Sequence, residues 1–431
     1  MVISHQAKIL NDLIKNANQG VYDLLSVKGK GIYFPSGGIL AQAGEAKEKN
    51  INATIGQAID DDGSPMRVKA IDKNIMLPPE DAFFYTSSFG KPELRRKWKE
   101  LILKKNPSLS SKISIPVATN ALTHALSIAG YMFVDPKDRI ILADKFWGNY
   151  KLIFTNGFSG ILDTFNTFKD NGFDTEAFSE VLLSGPGKKI VLLNFPNNPS
   201  GYTPTEKEAQ KIIDILKNAA DNGEKIVVLL DDAYFGLVYE EGIYTESLFS
   251  KIADLHKNIL AVKIDGPTKE DYVWGFRIGF ITFGIKKGNN ELYSALENKT
   301  AGAIRGNISN ACHLSQSLLL EAYNNPKYDR QKKQNYVVLK SRYEKVKEVL
   351  KNQKYTEYFR SLPYNSGYFM CVKINENIDA EKLRRVLLEK YSTGIIVMGN
   401  IARIAYSAVS KEKIQDLFSN LFKACKEVME G

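Results

Sequence analysis

Residues 264–280 read IDGPTKEDYVWGFRIGF, and the fold turns on them. Just upstream, ILAVKID (259–265) is largely apolar and reads as a strand. Downstream, IGFITFG (278–284) is β-branched and alternating, and reads as another. Lys269 therefore falls on a connection between two strands, where a rigid scaffold presents side chains. A lysine amine is a poor nucleophile while protonated. Desolvation or a nearby cation lowers its pKa and opens imine chemistry. Arg277, eight residues on, can be that cation and can also hold a phosphate in its bidentate fork. On this stretch alone a solvated lysine and a surface arginine are the simpler reading, because lysines mostly face water. The rest of the chain decides otherwise.

Working outward, the pattern strand, loop, helix repeats from about residue 113 to 285. KIVLLNFPNNPSG (189–201) is a strand running into a turn with three Asn, two Pro and a Gly. EKIVVLLDDAY (224–234) is a wholly apolar strand, as a buried parallel strand should be, ending in Asp231 and Asp232 before Tyr234. Two acids closing an apolar strand are costly to bury without a positive partner, which points to function. VATNALTHALSIAGYMF (117–133) is a strand end and a helix starting near Ala121 to Thr123. Such a helix start either holds an anion or is simply capped by Thr123. Trp147, on the loop after the strand at 138–143, either packs or stacks on a flat ring. Polar candidates thus gather at the carboxyl ends of strands in a mainly parallel α/β sheet, where such sheets bind ligands.

The flanks read differently. Residues 1–28 are expected to form one amphipathic helix. Gly29–Ile39 is Gly-rich without a following GK[ST], so a linker is expected rather than a phosphate loop. NINATIGQAIDDDGSP (50–65) reads as a short strand and a loop, and the helix after 91 starts at Pro92. After Ile308 the pattern becomes helical. SGYFMCVKI (366–374), GIIVM and IARIAYSAV (401–409) then read as strands of a smaller α+β part, closed by a final helix.

Composition narrows the function classes. At 431 residues the chain exceeds one ordinary core, so two or more lobes are expected. A net charge of +9 raises nucleic-acid binding. The Lys and Arg are spread beside Glu and Asp, however, so only a modest bias toward anionic ligands is read from it. Three cysteines without paired spacing and four scattered histidines favour a reducing, cytoplasmic setting and no metal centre. No apolar run reaches membrane-spanning length.

The ordered set NPSG (198–201 with its flanking Asn), DDAY (231–234), Lys269 with Arg277 eight later, and ARIAYS (402–407) resembles the fold-type I pyridoxal-phosphate enzymes, specifically class I/II, aspartate-aminotransferase-like enzymes. The resemblance covers about residues 50–420. It implies a large domain with a mainly parallel seven-stranded sheet flanked by helices, plus a smaller α+β domain. The implied division is an N-terminal segment 1–70 packing on the small domain or a partner subunit, a large domain 71–320 and a small domain 321–431. By resemblance, Lys269 forms the Schiff base with pyridoxal 5'-phosphate and shuttles the proton. Asp231 pairs with the pyridine nitrogen, so that the ring remains an electron sink. Tyr234 and Asn198 bond the ring oxygen and Trp147 stacks on the ring. Ala121, Leu122, Thr123, Thr268 and Arg277 hold the phosphate. Arg403 forks onto the substrate α-carboxylate, with Gly56 beside it.

Two further matches imply a homodimer with shared sites. FYTSSFGKPELR (84–95) resembles the segment whose tyrosine, here Tyr85, reaches the partner's cofactor phosphate. AIRGNISN (303–310) resembles the segment whose arginine, here Arg305, reaches a distal substrate carboxylate across the interface. The chain departs from the pattern at Gly266, where a small hydroxyl residue is usual, and at Ala121-Leu122, where glycines are usual.

The resemblance implies transfer of an amino group from an L-amino acid, with aspartate, glutamate and aromatic donors all open, to a 2-oxo acid such as 2-oxoglutarate. A lyase or decarboxylase on the same fold is the alternative. A binding protein that kept only the fold is the rival from another class; an intact Lys269 argues against it.

Overall fold

Runs of Val, Ile and Leu with no polar face suit strands covered on both sides. In the computed structural model, which describes residues 3–32, 39–72, 77–185 and 187–430, seven of them form one sheet. They are β1 (Val117–Thr119), β2 (Arg139–Ala143), β3 (Ile161–Phe165), β4 (Lys189–Asn194), β5 (Ile226–Asp231), β6 (Ile259–Asp265) and β7 (Gly279–Gly284), in the spatial order β1-β7-β6-β5-β4-β2-β3. All neighbours are parallel except β7, which is antiparallel to both β1 and β6. The expected mainly parallel seven-stranded sheet is therefore present.

Register carries the polar strand ends to one edge. Asn194 lies opposite Asp231, and Asp231 opposite Ile264. Because β7 returns antiparallel, Gly279 lies opposite Thr119, next to the start of the helix Ala121–Phe133. Apolar helix faces cover both sides of the sheet. The helix Glu206–Asp221 shows how local sequence fixes such an element: Thr205 and Glu208 form a reciprocal capping box at its start.

A second, antiparallel sheet is built from β8 (Phe359–Ser361), β9 (Met370–Ile374), β10 (Ile396–Met398) and β11 (Ile401–Ile404), in the order β8-β9-β11-β10. The 23-residue helix Tyr328–Leu350 packs on the final helix, Ile414–Glu430, and on the short turn after β11. Its Arg342 is buried and donates to the carbonyls of Ser407 (2.5 Å) and Ile59 (2.6 Å). The N-terminal region joins here too. The two-residue strand Ile51–Asn52 pairs with Thr393–Gly394, and Gln42 bonds both backbone groups of Val397.

Several expectations need correcting. The N-terminal helix is three short ones, His5–Ala17, Gln19–Leu24 and Val27–Gly31. Asn18 leaves helical geometry and caps the first, and the Ser26 side chain caps the third. Of the expected linker 29–39, residues 33–38 lie outside the described residues. The strand expected over 366–374 begins only at Met370, and the one over 401–409 ends at Ile404 in a short 3₁₀ turn. The helix between β2 and β3 is a π-helix, Lys151–Asn156. Among the described residues no helix is long and apolar enough to cross a membrane, and no group of His, Cys, Asp and Glu is arranged to hold a metal.

Candidate active site

Where the carboxyl ends of β4, β5 and β6 meet the second sheet, a cavity of about 510 Å³ opens. It lies where open α/β sheets bind ligands and is of ligand size. Ala121, Leu122, Thr123, Trp147, Asn198, Asp231, Tyr234, Thr268, Lys269, Arg277, Gly56 and Arg403 all line it. Tyr85 and Arg305 do not: both are exposed on the surface of their own chain.

One end of the cavity suits an anion. The helix Ala121–Phe133 starts there without a side-chain cap on its free N–H groups. Ala121 takes φ +67° and Arg277 φ +54°, the left-handed region that non-glycine residues enter uncommonly. The walls are tight. A Cβ on Gly279 would sit 2.7 Å from the Ala121 carbonyl carbon and 2.8 Å from the Leu122 nitrogen. A Cβ on Gly266 would sit 2.8 Å from the Ile278 oxygen. That crowding accounts for the missing hydroxyl at 266. Thr268 offers one instead: its Oγ1 is buried, lines the cavity and has no hydrogen-bond partner among the described residues, which is unusual for a buried hydroxyl.

Lys269 sits on the single helical turn Pro267–Glu270 between β6 and β7. Its Nζ lies 5.4 Å from the centroid of the Tyr234 ring. Burial lowers its amine pKa to about 8; Asp231 opposes the shift and Arg277 adds to it. A far larger fraction is therefore neutral near pH 7 than for an ordinary lysine. Asp231, deep in the cavity, is pushed up to about 6 by burial, while a hydrogen bond from Tyr150 holds it down and Asp232 raises it. Tyr150 donates to Asp231 Oδ2 at 2.6 Å and the Ala233 N–H to Oδ1 at 3.2 Å. Asn194 donates to the Asp231 carbonyl at 2.8 Å and accepts from the Asn198 N–H at 2.9 Å. Trp147 stands edge-on to Tyr150, 5.6 Å between ring centroids.

Arg403, on β11, closes the other end. Its guanidinium lies 4.4 Å from the Phe369 ring centroid and donates to Asn198 Oδ1 (3.3 Å) and to the Thr54 carbonyl (3.0 Å). Its Nε is buried and unpartnered, and among the described residues no carboxylate pairs with it. A buried cation without a counterion leaves a strong site for an anion.

Tyr150, Asn194 and Thr54 act in this site and were not singled out from the sequence. Tyr150 lies three residues past Trp147 and Asn194 ends an apolar strand, so both carried a positional signal. Thr54 contributes only backbone and carried none.

The "Aminotransferase class I and II" family profile matches residues 48–421. A probable N-acetyl-LL-diaminopimelate aminotransferase of Bacillus subtilis is 29% identical over 281 residues, 64% of each chain. An aspartate aminotransferase of Sulfolobus acidocaldarius is 27% identical over 46% of this chain and 47% of its own. The matched stretches thus span less than two thirds of these curated relatives. A solved aminotransferase structure from Anaerococcus prevotii superposes with a TM-score of 0.77 at 25% identity, covering 89% of this chain and 94% of that one. With the family profile running through both sheets and across every residue that lines the cavity from Thr54 to Arg403, the chain belongs to the aminotransferase class I and II family.

Proposed function

We propose that this protein is a pyridoxal-phosphate-dependent aminotransferase that moves an amino group from an L-amino acid to a 2-oxo acid. The observation that carries the reading is the gathering in one cavity of Lys269, a buried carboxylate, Asp231, and a buried arginine, Arg403, that no carboxylate pairs among the described residues. The residues fit the cofactor. The uncapped helix start, the orphan Thr268 hydroxyl and Arg277 form a phosphate-binding end. Asp231, buttressed by Tyr150, would hold the ring nitrogen, and Asn198 and Tyr234 would hold the ring oxygen. When bound, pyridoxal phosphate supplies an electron sink for the bond-breaking carbon.

The chain's own groups do the rest. Arg403 binds and orients the α-carboxylate. Lys269, neutral in part near pH 7, would accept the proton of the substrate's α-carbon at its Nζ and deliver it to the cofactor carbon that takes up the amino group. Asp231, with its pKa at about 6, is mostly ionised near pH 7 and so favours a protonated nitrogen facing it. The lyase or decarboxylase alternative is not favoured, since the relatives carry aminotransferase names. The test is a half-reaction screen. Absorbance of the loaded protein is followed as single amino acids are added without an acceptor. Conversion by at least one donor, reversed by a 2-oxo acid, is expected; silence toward every proteinogenic amino acid refutes the reading.

The assembly we propose is a homodimer with shared sites, in a reducing, cytoplasmic compartment. Tyr85 is 90% exposed and Phe83 85%, an apolar patch that no described residue covers. Ser88 donates to the Ser309 carbonyl at 2.7 Å, and His313 lies 2.9 Å from the Phe84 carbonyl. Tyr85 and the end of the Arg305 helix thus share one face, from which both can serve a partner's cavity. Cys371 and Cys425 are buried and unbridged, in keeping with that compartment.

A further inference from the structure

Behind the Lys269 turn lies a cluster of buried charges that the proposed reaction leaves unused. Pro267–Glu270 is a single turn, and one turn is too short to hold its own shape. While Lys269 faces the cavity, the next two residues are held by partners outside it. Glu270 is 5% exposed and accepts from Lys105 Nζ (2.8 and 3.1 Å) and Lys332 Nζ (2.6 Å). Asp271 is fully buried and accepts from Lys332 Nζ (2.8 Å), Tyr323 Oη (2.8 Å) and Tyr328 Oη. Burial works against the Glu270 charge, but Lys105 and Lys332 outweigh it and bring its pKa down to about 2.

Lys332 is the bridging member. It comes from the first turns of the helix Tyr328–Leu350, the same helix whose Arg342 is tied to the backbone of Ser407 and Ile59. A second tie runs from the same part of the molecule: Tyr368 Oη donates to the Lys269 carbonyl at 2.8 Å. Tyr368 lies just before β9, the strand paired with the Arg403 strand. The main chain at Lys269 is therefore clamped to the elements that carry Arg403.

We propose that Lys332, through Glu270 and Asp271, is a positioning residue that fixes the Lys269 turn against the Arg403-bearing part of the fold, setting where the amine stands relative to Asp231 and Arg277. The proposal rests on the reading of Lys269 as the cofactor-bearing lysine. The action is geometric. The charges that set the amine's proton affinity are Asp231 and Arg277, with burial the largest cause. The aromatic ring of Tyr234 lies beside it and Arg403 lies across the cavity. A turn released from Lys332 alters those distances. Misplacement of a reacting group by about 1 Å can cost on the order of 100-fold.

The test compares Lys332→Met and Lys332→Arg with the parent protein by three readouts. These are amide hydrogen exchange of peptides covering 266–273 with and without cofactor, the pH midpoint of the loaded protein's absorbance, and kcat and KM. Lys332→Met leaves Glu270 its Lys105 and Asp271 its two tyrosines, so the fold retains partial compensation. Lys332→Met is expected to speed exchange in that segment about tenfold, move the midpoint, and lower kcat on the order of 10- to 100-fold with KM nearly unchanged. Lys332→Arg is expected to restore most of each. An unchanged midpoint overturns the proposal, even if exchange or melting temperature changes, because Lys332 is then only structural. If Lys332→Met does not fold, Glu270→Gln is read by the same criteria. A moved midpoint in a protein that no amino donor converts keeps the positioning role and removes the aminotransferase reading instead.

Discussion

Asp231 and Asp232 are adjacent, both buried, and opposite in circumstance. Asp231 faces the cavity, where its side-chain partner among the described residues is the Tyr150 hydroxyl, and its pKa stands raised to about 6. Asp232 faces the other side of the sheet, where Lys263 contacts it and Ser247 donates at 2.6 Å. Lys263 also reaches Asp265 at 3.4 Å, and Asp265 accepts from Trp98 Nε1 at 2.9 Å. Burial raises Asp232 as well, but Lys263 opposes it directly. Successive residues at a strand end point to opposite faces. One carboxylate therefore joins a closed structural cluster, and the other is left for a cationic ligand. The same contrast holds at residues 269 and 270: the lysine is left with a displaced pKa and the glutamate is saturated by two lysines. Function sits where the charges are incompletely satisfied.

The contrast is most directly broken by exchanging the two acids for amides. Asp231→Asn is expected to lower kcat by roughly 100- to 1,000-fold, the range seen when a preorganised electrostatic partner is lost, with little change in unfolding free energy. Asp232→Asn is expected to do the reverse: about 3–5 kcal/mol less stability in denaturant titration, from stranding Lys263, and a kcat close to the parent in the folded fraction. Equal effects of the two on kcat would erase the distinction.

A second prediction sharpens the contrast between an arginine left unpaired inside its own chain and one held at the surface. Arg403→Ala is expected to damage turnover of every donor. Arg305→Ala is expected to cost about 10- to 100-fold in kcat/KM only for aspartate, glutamate and 2-oxoglutarate, because only these present a second carboxylate. A uniform loss across donors would place Arg305 outside substrate recognition.

The smallest effect is in pH. Lys269 reacts as the free amine, and its folded pKa lies at about 8, below the ordinary lysine value. Cofactor capture by the stripped protein should therefore rise about tenfold between pH 7 and pH 9 and then level off. Since Asp231 favours the charged amine, Asp231→Asn should move the midpoint to lower pH. A midpoint near the ordinary lysine value would mean that the amine is solvated.

Much of this was legible in the sequence. Apolar runs ending in polar residues located the parallel sheet, and the order of NPSG, DDAY, Lys269 and Arg403 located the cavity lining, because strand ends in such a sheet converge whatever their separation in the chain. The Pro92 helix start was likewise a local matter; the Thr205–Glu208 cap is as local but was not read from the sequence. The broken N-terminal helix was not legible, since its periodicity passes through Asn18 and only the backbone shows the cap. Lys263 stood in plain view inside an apolar strand, yet its partners come from residues 232 and 265, and only their packing shows why it is there. Nor could the sequence tell that Gly266 is walled in by the Ile278 carbonyl, or that Lys332, 63 positions beyond Lys269, holds the residues next to it. By itself the sequence determined periodicity, turn chemistry and the presence of a lysine, an acid and two arginines in family order, because these depend on neighbours along the chain. The resemblance picked Asp231 over Asp232, but only tertiary structure shows what holds Asp232 on the other face, because the energy of a buried charge is set by what lies across a few ångströms of low-dielectric space, and Lys263 and Ser247 arrive from elsewhere in the chain.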